Sequence, residues 1–162
     1  MPAYETLLEK LRASGLKMTP QRLAILRQLA DNDRHPTAQD VYDGMVAEQP
    51  TLSFATVYNA LGALAEAGVC ERLELGGTVL RFDPNLDPHD HAICDGCGSI
   101  RDVHADDDAP PGRAPAARAG ARERKPRELT GFHVRRVERI FRGLCSACRR
   151  GGAPHDDHQP GR

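Results

Sequence analysis

Ser53-Phe-Ala-Thr-Val-Tyr-Asn-Ala-Leu61 runs on to Gly68 and is followed by Val69-Cys-Glu-Arg-Leu-Glu-Leu75, Gly76-Gly77 and Leu80-Arg-Phe82; this stretch decides the fold. A serine ahead of an apolar-periodic run is an N-cap and a glycine behind it is a stop, so the first part reads as a helix from Phe54 to Ala67. Val57, Leu61 and Leu64 recur at helical spacing and face a core. Thr56, Tyr58 and Asn59 are left on the outer face near the helix start. The two later runs, Val69 to Leu75 and Leu80 to Phe82, alternate apolar and polar residues and are joined by two glycines, the pattern of a hairpin with a two-residue turn.

Working upstream, three further helices are predicted. Tyr4, Leu7, Leu8 and Leu11 follow i, i+3, i+4, i+7 spacing, and Gly15 ends their helix. Thr19-Pro20 is an N-cap with proline at the first helical position, opening a helix that buries Leu23, Leu26 and Ala30, flanked by Ile25 and Leu29. Thr37-x-x-Asp40 resembles a capping box with Asp in place of Glu or Gln. It starts a helix with Val41, Tyr42, Met45 and Val46 inside, stopped by Pro50. Helices followed by a hairpin describe a winged helix-turn-helix, which lays the N-terminal residues of its second helix on base edges in the major groove. Thr56, Tyr58 and Asn59 stand at that place. Residues 1–30 are basic, with Lys10, Arg12, Lys17, Arg22 and Arg27 against Glu5 and Glu9, and Lys17 and Arg22 join the candidate DNA contacts. The other reading of these residues is a solvated polar face.

Downstream, residues 84–90 read as a hinge containing Pro84 and Pro88. The organisation expected is a DNA-binding domain over 1–83, the hinge, a small domain over 91–150, and a flexible tail over 151–162. His91 to Cys94 and Ser99 to His104 read as strands around a Cys-x-x-Cys-Gly turn. Phe132-His-Val134 and Ile140-Phe141 read as a strand pair or one bent strand. Residues 105–128, rich in Asp and then in Pro, Ala, Gly and Arg, are irregular. The fold class is α+β.

The sequence has five cysteines in 162 residues, four of them in the pairs Cys94-x-x-Cys97 and Cys145-x-x-Cys148. Each pair presents two thiolates at once, and two pairs satisfy a tetrahedral Zn²⁺ that would staple the C-terminal domain. Two unrelated thiol pairs, or a disulfide relay, is the alternative. Cys70 reads as a small buried residue. A second constellation comprises Asp83, His89, His91 and Asp102, with His35 far upstream. Imidazole with carboxylate suits Fe²⁺, Mn²⁺ or Zn²⁺, and the alternation of His89 and His91 puts them on one face of an extended strand. A solvated linker has the same composition. His104 and His133 read as ordinary histidines, and His155 and His158 as tail residues.

The net charge of −1 does not advertise nucleic-acid binding, although bound divalent cations would reduce repulsion from phosphate. No apolar run of about 18 residues is present and no charged n-region precedes an apolar stretch, so a cytoplasmic protein away from membranes is expected. A metal-dependent hydrolase would need an open coordination position and a substrate pocket; five protein ligands and a short chain argue for a non-enzyme. A zinc-binding module without the winged helix, and a metal-free thiol switch, are the remaining alternatives.

His35-Pro-Thr-Ala-Gln-Asp-Val-Tyr42, Ser53 to Leu61, Arg81-Phe-Asp83 and His89-Asp-His-Ala-Ile-Cys-Asp-Gly-Cys-Gly98 resemble, in order, the motifs of the ferric uptake regulator (Fur) family, and most of all its peroxide-sensing PerR branch. The resemblance spans residues 4–104 and resumes over 130–148. It implies a winged-helix domain, a hinge and an α/β dimerisation domain. It implies a structural zinc on the four paired cysteines and a regulatory Fe²⁺ or Mn²⁺ on His35, Asp83, His89, His91 and Asp102. It implies a homodimer on a pseudo-palindromic DNA operator, with no organic small-molecule ligand. Asp102, where iron sensors tend to carry Glu, and Asn59 after Tyr58 look like the PerR branch, in which iron and peroxide oxidise a ligating histidine; His35 and His89 are the candidates. An iron- or manganese-responsive repressor would share these residues. The chain departs from the family pattern between Asp102 and Gly131, where the segment is longer and its dimerisation helix lacks an apolar stripe. A further metal site known in some relatives has Arg136 or Val137 where a histidine would stand.

Overall fold

The computed structural model describes residues 2–30, 32–74, 79–104, 131, 133 and 139–151. The chain divides into two compact units, Met1–Asp87 and Pro88–Arg162.

The first unit holds α1 (Tyr4–Ala13), α2 (Pro20–Leu29), α3 (Ala38–Val46), α4 (Phe54–Glu66) and the antiparallel strands β1 (Glu71–Leu73) and β2 (Arg81–Asp83). The caps are those the sequence dictates. Thr19 Oγ1 accepts from the Arg22 amide, with Pro20 at the first helical position. Thr37 and Asp40 form a complete capping box, and Ser53 Oγ accepts from the Thr56 amide. Gly15 and Gly68 sit at φ of 74° and 71° just past α1 and α4, a left-handed conformation glycine adopts without penalty. Leu7 and Leu11 from α1, Val41 and Met45 from α3, and Val57, Leu61 and Leu64 from α4 enclose one core with Phe82 of β2.

Two details of this unit differ from expectation. The buried stripe of α2 is Ile25, Leu26 and Leu29, while Leu23 and Ala30 are only partly covered. The segment from Leu23 to Ala30 is apolar nearly all round, and α2 packs against α1, α3 and α4, so contacts from three directions choose the stripe. The hairpin register is also displaced. A two-residue Gly76-Gly77 turn would set Leu73 opposite Leu80; the pairs are Glu71 with Asp83, Arg72 with Phe82 and Leu73 with Arg81. The second edge of β2 is engaged as well, through a bridge from Arg81 to Thr37 and a 2.9 Å bond from the Phe82 amide to the Pro36 carbonyl. A strand held on both edges takes its register from its neighbours and its core residue before its turn. The turn itself, residues 75–78, lies outside the described residues.

The second unit is a three-stranded sheet in the order β4 (Ile100–Val103), β3 (Asp90–Cys94), β5 (Ile140–Gly143), followed by the short helix α5 (Ser146–Arg149). β3 runs antiparallel to β4 and parallel to β5, with His91 opposite Asp102 on one side and Ile140 on the other. The tight turn between β3 and β4 is closed by the Gly98 amide on the Cys94 carbonyl and the Cys94 amide on Ser99. Phe132 and Val134 of the expected strand, the irregular segment 105–128, the Arg136 and Val137 positions and the tail from residue 152 lie outside the described residues. Ile140–Gly143 is the strand realised around Ile140-Phe141.

Leu61 is fully buried at the centre of the first unit. Leu61→Ala is expected to cost about 2–5 kcal/mol of that unit's stability, read as a lower urea midpoint, whereas Asn59→Ala on the exposed face of the same helix should leave the midpoint nearly unchanged.

Candidate metal centres

The C-terminal unit brings its four paired cysteines together. Cys94 closes β3, Cys97 lies in the turn after it, and Cys145 caps α5 with Cys148 one turn on. Their sulfurs all lie within 4.8 Å of one another, and Cys97 Sγ and Cys145 Sγ are 3.9 Å apart. All four are free thiols, spaced as ligands of one ion would be and too far apart for a disulfide. Four sulfurs bound to zinc at about 2.3 Å span this kind of separation. The backbone prepares the site: the Cys145 amide donates to Cys94 Sγ at 3.2 Å and the Cys148 amide to Cys145 Sγ at 3.4 Å. The first of these bonds draws the Cys94 thiol down to about 6, and the second lowers Cys145. Cys148, bonded to the Cys145 sulfur and crowded by the other thiols, is pushed up to about 12. A cluster that ionises this unevenly alone is one that a divalent cation would bring fully to the thiolate state. A Cβ at Gly96 would meet Cys148 Sγ at 3.0 Å and Leu144 Cδ2 at 3.2 Å, so a larger residue there would have to push these side chains back by a few tenths of an ångström.

The histidine and carboxylate set is distributed over both units. In the first, His35 Nε2 lies 3.7 Å from Asp83 Oδ2, with both side chains fully buried. His35 precedes α3 and Asp83 ends β2, and they meet because β2 pairs with residues 36 and 37. In the second unit, His89 Nε2 is 3.0 Å from His91 Nε2 and 3.5 Å from Asp102 Oδ1. The two histidines point to one side of β3, and Asp102 stands across from His91 on β4. Both rings are buried. His104 and His133 are exposed, though the His104 ring lies 6.2 Å from that of His89. Cys70 is buried beside the first core, and loss of water pushes its thiol up to about 12.

The candidate DNA contacts lie where the helix pattern puts them. Tyr58 and Asn59 are exposed on α4, and the Tyr58 ring lies 6.2 Å from that of Phe54. Thr56 is exposed, but its hydroxyl is 2.8 Å from that of Ser53 in the cap. Lys17 is exposed, and Arg22 donates through Nη1 to the Lys17 carbonyl at 2.6 Å, tying the two together.

The ferric uptake regulator family model matches residues 13–119. The chain belongs to the ferric uptake regulator family. As a Fur protein it is a DNA-binding regulator and not an enzyme. It is 38% identical over 141 residues to the peroxide operon regulator of Bacillus subtilis (strain 168), covering 87% of this chain and 90% of that protein. It is 32% identical over 148 residues to the peroxide-responsive repressor PerR of Staphylococcus epidermidis, with 91% of each chain covered. Among solved structures, a zinc-bound manganese uptake regulator overlays with a TM-score of 0.63 at 28% identity, covering 86% of this chain and 98% of that one. The ferric uptake regulator of Francisella tularensis with iron overlays at 0.64 and 27%, covering 83% and 96%. No helix among the described residues is long and apolar enough to cross a membrane.

Two arginines of this Fur chain were not singled out by sequence reasoning. Arg81 is half-buried beside His35, and burial lowers its pKa. Arg139 pairs with Asp90, the residue between His89 and His91, and its carbonyl accepts from the His91 amide at 3.1 Å. Arg81 lies inside a quoted motif, but a charged residue in a strand pattern gives no sign of which edge it faces.

The Cys70 thiol, raised from an ordinary 9.0 to about 12, is almost wholly protonated at neutral pH, and the thiolate is the nucleophile. Iodoacetamide is therefore expected to leave Cys70 unmodified in the folded protein at pH 8 and to modify it on unfolding, as read by peptide mass spectrometry. The same shift stabilises the fold fully below pH 9, and this contribution declines as pH rises toward 12, where the folded state also ionises.

Proposed function

We propose that the protein is a metal-dependent repressor of transcription that senses peroxide through oxidation of a ligating histidine. One observation carries this reading: His35 buried with Asp83, and His89 and His91 buried against Asp102. Three buried imidazoles and two carboxylates are a nitrogen and oxygen set of the kind Fe²⁺ and Mn²⁺ take, whereas the four thiols of Cys94, Cys97, Cys145 and Cys148 suit a structural Zn²⁺. The donor chemistry therefore fits both ions. His35 and Asp83 belong to the DNA-binding unit and His89, His91 and Asp102 to the other. A single ion held by all five favours the arrangement of the units in which all five converge, and so couples metal occupancy to DNA binding.

Fe²⁺ held by His35, Asp83, His89, His91 and Asp102 would supply the reducing equivalent for cleavage of peroxide, and the ligating imidazoles would be the groups nearest the oxidant. His35 and His89 are the rings assigned to oxidation. An oxidised ring is a poorer donor, the convergent arrangement loses its advantage, and DNA is released. Asp102 and the likeness to two peroxide-responsive regulators support this branch. Likeness to a manganese uptake regulator supports a second reading, a metal-responsive repressor indifferent to peroxide. In either case Thr56, Tyr58, Asn59, Lys17 and Arg22 contact the operator. The protein works in the cytoplasm as a homodimer on a pseudo-palindromic site, and the exposed Ile140, Phe141 and Leu144 are apolar surface available to a second copy.

Operator binding measured anaerobically tests the reading. Fe²⁺-loaded protein is expected to bind and to release DNA after a brief peroxide pulse, with one oxygen atom added to the peptide carrying His35 or His89. Mn²⁺-loaded protein is expected to stay bound. Retention of DNA by the Fe²⁺ form with unmodified histidines would move the protein to the metal-responsive branch. Tyr58→Ala is expected to abolish operator binding while about one zinc per chain stays bound; unchanged affinity would displace the recognition surface from α4.

A further inference from the structure

His35 is the non-glycine residue with positive φ among the described residues, at 51°. Two things oppose that conformation. A Cβ disfavours the left-handed region, and a residue before proline is steered to extended backbone. Pro36 follows His35 directly. A fully buried residue held against both preferences needs surroundings that over-determine it.

Those surroundings are named and come from β2. Arg81 Nη1 donates to the His35 carbonyl at 3.1 Å and lies 3.4 Å from the Arg34 carbonyl. Next along the strand, the Phe82 amide donates to the Pro36 carbonyl at 2.9 Å. Thr37 bridges to Arg81 and is itself fixed by Asp40, which accepts from both its amide and its hydroxyl. Consecutive carbonyls at 34 and 35 thus face one guanidinium, and the chain is pinned again at 36 and 37. Asp83, which stands 3.7 Å from the His35 ring, lies two residues beyond Arg81 on the same strand. One strand supplies both the carboxylate and the clamp on the backbone that carries the imidazole.

We propose that Arg81 is a positioning residue that holds His35 in its left-handed conformation and so aims the imidazole at Asp83. The proposal rests on the reading of His35 as a ligand for its consequence, but the clamp can be tested without it. Both contacts leave the one nitrogen Nη1, so lysine can replace the donor at this site but not the planar guanidinium that fixes its direction. Partners that orient a ligand typically contribute about 10–100-fold to metal affinity.

The test uses the full-length, zinc-replete protein with Co²⁺ as a spectroscopic probe, in wild type, Arg81→Gln, Arg81→Lys and His35→Ala. In the absence of added Co²⁺, amide exchange over residues 34–37 is expected to quicken in Arg81→Gln and to recover partly in Arg81→Lys, with exchange in β3 and α4 unchanged. On adding Co²⁺, Arg81→Gln is expected to bind about 10–100-fold more weakly with an altered visible spectrum, and Arg81→Lys to fall between it and wild type. Wild-type affinity and spectrum in Arg81→Gln, when His35→Ala loses binding, would overturn the clamp and leave the ligand reading standing. Co²⁺ binding that His35→Ala does not change would overturn the ligand reading, and exchange over 34–37 then decides the clamp alone: unchanged exchange in Arg81→Gln overturns it. Should Arg81→Gln unfold, as read by its melting curve, the same comparison is made with Arg81→Lys against wild type.

Discussion

Ionisable side chains taken out of water cost free energy that only a partner of complementary charge offsets, and both units of this protein are organised around that constraint. The first buries an imidazole against a carboxylate, His35 with Asp83. The second buries two imidazoles against Asp102. A chain with few aromatics and modest apolar cores accepts these costs at positions fixed by strand pairing. β2 is bonded on both edges, and so is β3. Asp83, His91 and Asp102 sit on paired strands, as expected where geometry matters more than stability.

Much of this was legible in the chain. Caps announce themselves through residue type and spacing, so Thr19-Pro20, Thr37-x-x-Asp40 and Ser53 marked three helix starts that the structure reproduces. Val57, Leu61 and Leu64 were legible as core because α4 is amphipathic. The paired cysteines could be read because their spacing carries a geometry of its own. His89 and His91 were legible as neighbours because a strand has a period of two.

What could not be read has a common cause. The stripe of α2 differs from the sequence reading because the apolar residues from Leu23 to Ala30 point in nearly all directions around the helix, and three neighbours choose its inner face. The hairpin register differs from that of a two-residue turn because the second edge of β2 is held by Thr37 and Pro36, which the glycines do not signal. The meeting of His35 with Asp83, and the position of Arg81 between the two chain segments, depend on the same strand pairing across long sequence distances. Residue type and periodicity report on local structure; these features belong to tertiary pairing, which the family resemblance supplied for the ligands and left open for the arginine.

Val103 at the end of β4 stands opposite Asp90, and Ile140 at the start of β5 stands opposite His91, so the chain leaves β4 and enters β5 at the same end of the sheet, on either side of β3. Both ends of that connection are anchored by pairing with β3. The entropy lost in closing a chain between fixed points grows only with the logarithm of its length, roughly 0.6 kcal/mol for each doubling. A connection whose ends are fixed on either side of one strand can therefore change in length at little thermodynamic cost while that pairing holds. The sequence between Asp102 and Gly131, read above as longer than the family pattern, falls in that interval.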